Sequence, residues 1–254
     1  MNRGNEFRKK LQNGTALGGH VFLNDPAITE AFARYGYDFI WIDAEHGPFD
    51  KQNLLMHVMA ANAGGAGAFV RVASQEMEAI KPVLEMGIDG IIIPMVLDEH
   101  EAQRVLEQCL YPPKGIRGFG PRRAIQYNNQ DVQIYLQQSD ESFVRIIQIE
   151  HVQAVEHIKA ILSLPALDAI IIGPNDLSGS IGQLGNPLHP EVLSLVETTI
   201  KAAKEAEKPV GVSIAPDVQT IETYKSLGVD FFSCGDDISF LHQGARGTLS
   251  KFHR

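Results

Sequence analysis

One phrase recurs along this chain and limits what it can fold into. Tyr35-Gly36-Tyr37-Asp38-Phe39-Ile40, Met86-Gly87-Ile88-Asp89-Gly90-Ile91 and Leu227-Gly228-Val229-Asp230-Phe231-Phe232 each place a Gly two residues before an Asp and an apolar run just after it. Ala166-Leu167-Asp168-Ala169-Ile170 is a variant without the Gly. Each phrase follows a segment with helical apolar spacing. A Gly that closes a helix in the left-handed conformation, then an Asp in a short loop, then a strand, is a helix-to-strand joint. Four such joints predict αβ units in series.

Completing the pattern gives eight predicted strands, at residues 20–23, 39–43, 68–72, 90–94, 144–150, 169–173, 210–214 and 231–234. Most are continuous Val, Ile and Phe runs, as expected of a parallel sheet covered on its outer face. No Gly-x-Gly-x-x-Gly fingerprint follows the first strand, which argues against an open doubly wound sheet. A closed (β/α)8 TIM barrel is the expected α/β fold. Residues 6–12 form an extra N-terminal helix placed to plug the barrel floor. With 254 residues, 44% of them hydrophobic, the chain can bury a full core. No linker or composition break divides it, so residues 1–254 are expected to form one domain.

Charge and composition exclude several functions. The formal net charge is -9 and no Lys/Arg stripe is present, which argues against nucleic-acid or anionic-membrane partners. No apolar run approaches the ~18 residues of a membrane span. Cys109 and Cys234 are too few for a disulfide framework, and residues 1–10 lack an apolar signal core. A soluble cytoplasmic protein is the expectation, and an anionic substrate must find positive charge locally.

Catalytic groups of such barrels gather where the strands end at their carboxyl side. Trp41-Ile42-Asp43-Ala44-Glu45-His46-Gly47-Pro48 delivers two carboxylates and an imidazole to one strand end. The other ends supply Arg71, Gln148, Glu150, Asn175, Asp176 and Ser213. Gln148 and Glu150 are two apart on a strand and so share a face. Glu150 and Asp176 are the natural metal pair: oxygen ligands without clustered His or Cys favour Mg2+ or Mn2+, with Co2+ possible. The alternative is that they pair with Arg71 or cap a helix. Gly173-Pro174-Asn175-Asp176 lets a ligand approach the backbone and offers amides to a carboxylate, or is an ordinary turn. Arg71 suits a developing enolate oxygen, or forms a structural salt bridge to Glu45 or Glu150. Asp43 could orient His46 and leave its other nitrogen for proton transfer. The remaining eight histidines are assigned no role.

The longest excursion between strands, residues 95–143, carries Tyr111-Pro112-Pro113-Lys114-Gly115-Ile116-Arg117-Gly118-Phe119-Gly120-Pro121-Arg122-Arg123. Its prolines and glycines disfavour helix there, and a long irregular segment in a compact barrel is often a binding lid. Arg122 and Arg123 could meet an anionic group at the substrate's far end, or be ordinary solvated arginines.

Five of these stretches, in order, resemble the HpcH/HpaI aldolases: Asp43 to Pro48, Val70-Arg71-Val72, Tyr111-Pro112-Pro113 through Gly118, Gln148-Ile149-Glu150, and Gly173 to Ser178. The resemblance covers nearly the whole chain. It implies a metal-dependent class II aldolase with a barrel of the phosphoenolpyruvate/pyruvate type. Such an enzyme reversibly cleaves a 2-keto-4-hydroxy acid, such as a 2-keto-3-deoxy sugar acid or 4-hydroxy-2-oxo-heptanedioate, into pyruvate and an aldehyde. It implies that Glu150 and Asp176 bind the divalent cation chelated by pyruvate, that Arg71 steadies the enolate, and that His46 with Asp43 is the acid/base pair. It places Gln148 and the amides near Asn175 and Asp176 at the keto acid, with Ser213 a partial guide to the aldehyde pocket. It also implies a homo-oligomer, commonly a hexamer, with the last helix exchanged between subunits. No lysine ends a strand, so a Schiff-base route is not expected. A citramalyl- or malyl-CoA-type thioester lyase and a non-catalytic keto-acid sensor are the rival functions.

Overall fold

Eight parallel strands close on themselves in sequence order. They are β1 (Ala16–Val21), β2 (Phe39–Asp43), β3 (Gly67–Arg71), β4 (Gly90–Ile93), β5 (Val144–Ile149), β6 (Ala169–Ile172), β7 (Val210–Ile214) and β8 (Phe231–Asp236), with β8 paired back onto β1. The computed structural model describes residues 3–252, and the ends of the expected 1–254 domain lie outside the described residues. Helices occupy the connections, so the expected (β/α)8 barrel is the observed fold.

The repeated joints hold this cylinder together at its amino-terminal end. Each joint Asp reaches back to the start of the preceding strand, where its carboxylate accepts a backbone N–H. Asp38 accepts from Leu17 at 2.9 Å, Asp89 from Ala68 at 3.0 Å, Asp168 from Arg145 at 2.8 Å and Asp230 from Val210 at 2.9 Å. Asp38 and Asp89 also use their own carbonyls to accept from Gly67 and Val144 of the following odd strand, at 3.0 and 2.9 Å. The phrase is thus a stitch across strand pairs. It satisfies strand-start amides that would otherwise be buried without partners.

Side chains alternate inward and outward along the strands. The outward Ile40, Ile42, Val70, Ile91, Ile93 and Ile170 pack with the helices in the larger core. The inward Phe39, Trp41, Phe69, Ile92, Ile146, Ile171 and Phe231 fill the barrel, and Phe7 joins them. Phe7 belongs to the helix Arg3–Asn13, longer than the expected 6–12, and does plug the floor. Its ring meets those of Phe39, Phe69 and Phe231 edge-on at 5.5, 4.9 and 5.3 Å.

Two expectations are corrected. The first strand begins at Ala16 rather than residue 20, because Gly18-Gly19 is strand and not a break. A Cβ at Gly18 would overlap the inward Phe39 ring, so glycine is required there by packing. His20 therefore sits near the carboxyl end of β1. The excursion between β4 and β5 is also not a lid over the mouth of its own barrel. It contains the helices Glu99–Cys109 and Val132–Gln138 and an irregular stretch that returns beneath the cylinder. There Arg117 pairs with Glu85 at 3.2 Å, and Arg123 donates to the carbonyls of Met86 and Gly87 at 2.7 and 3.1 Å and to Asn62 at 2.9 Å. Met86 and Gly87 lead into β4 from the amino-terminal side. Arg123 and its neighbour Arg122 are thus at the end opposite the mouth, where Arg123 caps orphan carbonyls of a helix end.

Candidate active site

At the carboxyl end of the barrel the strands open on a cavity of about 420 Å³. His20, His46, Arg71, Gln148, Asn175 and Asp176 are among its lining residues. Gly173 and Ser213, the remaining expected substrate contacts at strand ends, line it too. Arg122 and Arg123 do not, for the reason given above.

Asp43 organises one side. It is fully buried at the end of β2, and its carboxylate receives donors from four directions. Arg71 donates through Nε to Oδ1 at 3.0 Å and through Nη2 to Oδ2, and the backbone amides of Glu45 and His46 donate to Oδ1 at 3.0 and 3.2 Å. The fourth partner is His20, whose Nε2 lies 3.0 Å from Oδ2. Burial alone would raise the Asp43 pKa, but the hydrogen bonds from His20 and Arg71 outweigh it and hold the group well below the carboxylate range.

This corrects the expected His46–Asp43 side-chain pair. Asp43 meets His46 only through the backbone, while the imidazole of His46 is 58% exposed at the rim, 3.9 Å from Glu45. The turn Glu45-His46-Gly47 folds over Asp43, with Gly47 N–H donating to the Asp43 carbonyl at 2.9 Å, and this directs the ring outward.

Arg71 is buried, and its charge is offset from several sides. Beyond Asp43 it lies 3.0 Å from Glu45 and donates to Gln148 at 3.3 Å, and its guanidinium stands 5.2 Å from the Trp41 ring centroid. These contacts fix the orientation of the fork.

Asp176 lines the cavity, and Glu150 is buried beside it, behind Gln148. Gln148 and Glu150 share a face, as their spacing requires, and Gln148 Nε2 donates to Glu150 Oε2. Glu150 Oε1 accepts from the Met95 amide at 2.7 Å. Burial, opposed by that amide and reinforced by the charge of Asp176, raises the Glu150 pKa to about 7. Asp176 is exposed in the first turn of the helix Pro174–Ser180 and makes no capping bond, so the helix-cap alternative falls away. A Cβ on Gly173 would come within 2.7 Å of Gln148 Nε2 and 3.0 Å of Glu150 Oε2. Glycine there keeps the backbone close to both. No cluster of three or more His, Cys, Asp or Glu able to hold a metal occurs among the described residues.

The sequence profile of the HpcH/HpaI aldolase/citrate lyase family matches residues 17–243, which contain every group described here. The chain belongs to this family. It is similar to the hydroxypyruvate/pyruvate aldolase of Pseudomonas aeruginosa, 31% identical over 249 residues that cover 98% of this chain and 92% of that one. It is likewise similar to the 4-hydroxy-2-oxo-heptane-1,7-dioate aldolase of Shigella flexneri, 33% identical over 251 residues covering 98% and 93%. Among solved structures, an HpcH/HpaI aldolase/citrate lyase family protein from Burkholderia cenocepacia superposes with a TM-score of 0.91 at 26% identity, covering 98% of this chain and all of that one. Within this HpcH/HpaI protein, the site residue that sequence reasoning missed is His20. Its signal was present, an imidazole two positions beyond Gly18 on the inward face, but it is legible only when β1 is started at Ala16.

Proposed function

We propose that this protein is a class II aldolase that reversibly cleaves a 2-keto-4-hydroxy acid into pyruvate and an aldehyde. The observation that carries this reading is a prefixed guanidinium and two carboxylates gathered at one small cavity. Arg71, held by Asp43, lines it with Asp176, and Gln148 links Arg71 to the buried Glu150. A divalent cation fits the pair. The charge of Asp176 already bears on Glu150, a repulsion that a cation relieves, and their hard oxygens suit Mg2+ or Mn2+, with Co2+ also suited. Bound there, such an ion supplies Lewis-acid polarisation of the substrate's keto group.

The chain's own residues do the rest. The amides of Asn175 and Asp176, backed by Gly173, seat the substrate carboxylate, and Gln148 lies beside it. Arg71 donates to the keto oxygen as it gains charge. A group that accepts the C4 hydroxyl proton then lets the C3–C4 bond break, and the imidazole of His46, on the turn after β2, lines the cavity for that work. Ser213, which lines the same cavity, is left for the aldehyde. The lysine-free strand ends leave no amine for a Schiff base.

Two further elements of this reading concern the setting of the enzyme. The helix Asp237–Ser250 exposes Ile238, Leu241 and Leu249, and with the family resemblance this supports a homo-oligomer, a hexamer, in which the helix packs on a partner copy. Cys109 and Cys234 are buried free thiols, in keeping with a reducing cytoplasm. No described helix is long and apolar enough to cross a membrane. The test is pyruvate release from a panel of 2-keto-3-deoxy sugar acids and 4-hydroxy-2-oxo-heptanedioate by chelator-treated protein, with Mg2+, Mn2+ or Co2+ restored in turn. Release should appear only with a cation. Undiminished release without one, or a borohydride-trapped adduct with pyruvate, contradicts the reading.

A further inference from the structure

We propose that the β7–β8–β1 flank of the cavity is a hydroxyl-binding subsite in which Ser213 and His20 hold the aldehyde half of the substrate. The preferred substrate is then a 2-keto-3-deoxy sugar acid, cleaved to a hydroxylated aldehyde, rather than an alkyl or dicarboxylic relative. This rests on the aldolase reading and names the substrate class within it.

The placement of charge divides the cavity. Arg71, Glu150 and Asp176, which serve the keto-acid half, come from β3, the end of β5 and the helix after β6. The wall that remains belongs to β7, β8 and β1, with Ser213, Ser233, Gly235, Asp236 and His20. Ser213 pairs in register with Ser233, and Ser233 with Gly18. His20, two residues beyond Gly18, shares its inward face. Ser213 and His20 therefore flank β8. The even-numbered strands of such a barrel fill one layer together. Here Trp41, Ile92 and Ile171 stand with Ser233, so β8 contributes the smallest member of that layer, between the two flanking groups.

Both groups are unused by the chain. The Asp43 carboxylate collects two donors from Arg71 and the amides of Glu45 and His46, so it stays ionised and acts only as an acceptor. The contact at 3.0 Å therefore puts the ring proton of His20 on Nε2 and leaves Nδ1 as an acceptor. Burial, opposed by Asp43, lowers the pKa of His20 and keeps the ring neutral near neutral pH. Nδ1 has no partner among the described residues and is not sealed from the cavity, and stacking on Phe22 at 4.2 Å and Trp41 at 4.7 Å fixes its direction. Ser213 is half-buried, and its hydroxyl likewise makes no hydrogen bond among the described residues and is not sealed off.

An uncharged acceptor beside a hydroxyl suits the O–H groups of a sugar chain. A substrate hydroxyl donates to Nδ1, and Ser213 donates or accepts as the neighbouring oxygen requires. An alkyl group in their place leaves both unpaired. The charge on this flank is negative: Asp236, which accepts from the amide and hydroxyl of Ser239 at 2.8 and 2.6 Å. Arg71 is the one lysine or arginine lining the cavity, so a second carboxylate at the aldehyde end meets repulsion and no local cation. His46, on the turn after β2, keeps the proton transfer at C4. Binding and chemistry thus use different imidazoles.

The test runs in the synthetic direction, with pyruvate and cation supplied to the intact protein. Initial rates of addition are compared for glycolaldehyde, for propionaldehyde, which has a methyl where glycolaldehyde has its hydroxyl, and for succinic semialdehyde. Wild-type kcat/KM for glycolaldehyde should exceed that for either of the others by about 10- to 100-fold. Ser213→Ala and His20→Phe, each checked for folding by thermal melting, should each lower the glycolaldehyde-to-propionaldehyde ratio about fivefold or more. A ratio taken within one protein cancels losses of folding or of the shared enolate chemistry, including the lost Asp43 contact in His20→Phe. A wild type that uses propionaldehyde or succinic semialdehyde equally with glycolaldehyde overturns the subsite alone, as does either folded variant that keeps the wild-type ratio. If the wild type adds pyruvate to none of the three, the aldolase reading itself fails and the subsite with it.

Discussion

The two ends of this barrel are made by the same eight strands and hold opposite chemistry. At the floor Phe7, Phe39, Phe69 and Phe231 interlock with no polar atom between the rings, and the joint aspartates outside them each satisfy strand-start amides. At the mouth, one or two turns of the strand pleat higher, Asp43, Arg71 and Glu150 are buried almost as deeply. The floor lowers free energy by packing. The mouth spends part of that stability on charges held ready for a ligand. What separates them is position along the strand rather than which strand is used, so a substitution at one end should leave the property of the other intact.

The largest effect that would break this division is at Arg71. Arg71→Ala leaves Asp43 buried without its main partner, at a cost of about 3–5 kcal/mol, and removes the oxyanion donor, lowering kcat about 100- to 1,000-fold. Urea titration and pyruvate release should both register it. Phe7→Ala, at the other end, should cost about 3–5 kcal/mol in urea unfolding while the folded fraction keeps the wild-type kcat. A lost kcat there would mean that floor and mouth are coupled.

A smaller effect follows from Glu150. Its pKa rises on folding from the ordinary 4.5 to about 7, so the unfolded chain ionises it first. The group's contribution is most favourable below pH 4.5, weakens as pH rises to about 7, and is constant above. A bound cation offsets the penalty, so the rise in Tm on adding Mn2+ should be greater at pH 8 than at pH 5. Glu150→Gln should flatten that difference. Asp43 runs the other way: its lowered pKa gives stability that is present at neutral pH and lost in acid. The smallest effect is at Tyr224 of the helix Val218–Ser226, whose buried hydroxyl has no hydrogen-bond partner among the described residues. Tyr224→Phe should raise stability by about 1 kcal/mol in urea unfolding.

Much of the floor was readable from residue order alone, because its physics is local. The Gly-x-Asp joints announce strand starts, and continuous apolar runs announce a sheet covered on its outer face. Glu150 was legible because period-2 alternation puts it on the same face as Gln148, and Arg71 and Asp176 because they stand at or just past the end of an apolar strand. The failures at the mouth were failures of long-range pairing. Nothing near His20 in sequence says that it meets Asp43, 23 residues away, in place of the adjacent His46. A double glycine that normally weakens a strand hid β1, because the Phe39 ring that demands Gly18 comes from the neighbouring strand. Arg122 and Arg123 looked like substrate ligands because the path of the chain from β4 to β5, down one side and under the floor, is set by tertiary contacts such as Arg123 with Met86 and Gly87.

The central claim is that an enolate forms at this mouth against Arg71 with a cation held by Glu150 and Asp176. It is tested most directly by following deuterium entry into the methyl group of pyruvate in D2O by NMR, which needs no aldehyde. Chelated wild-type protein should exchange slowly and recover with Mn2+, and folded Asp176→Asn should not recover. Exchange at the full rate in chelated protein, or in Asp176→Asn without added cation, would contradict the account.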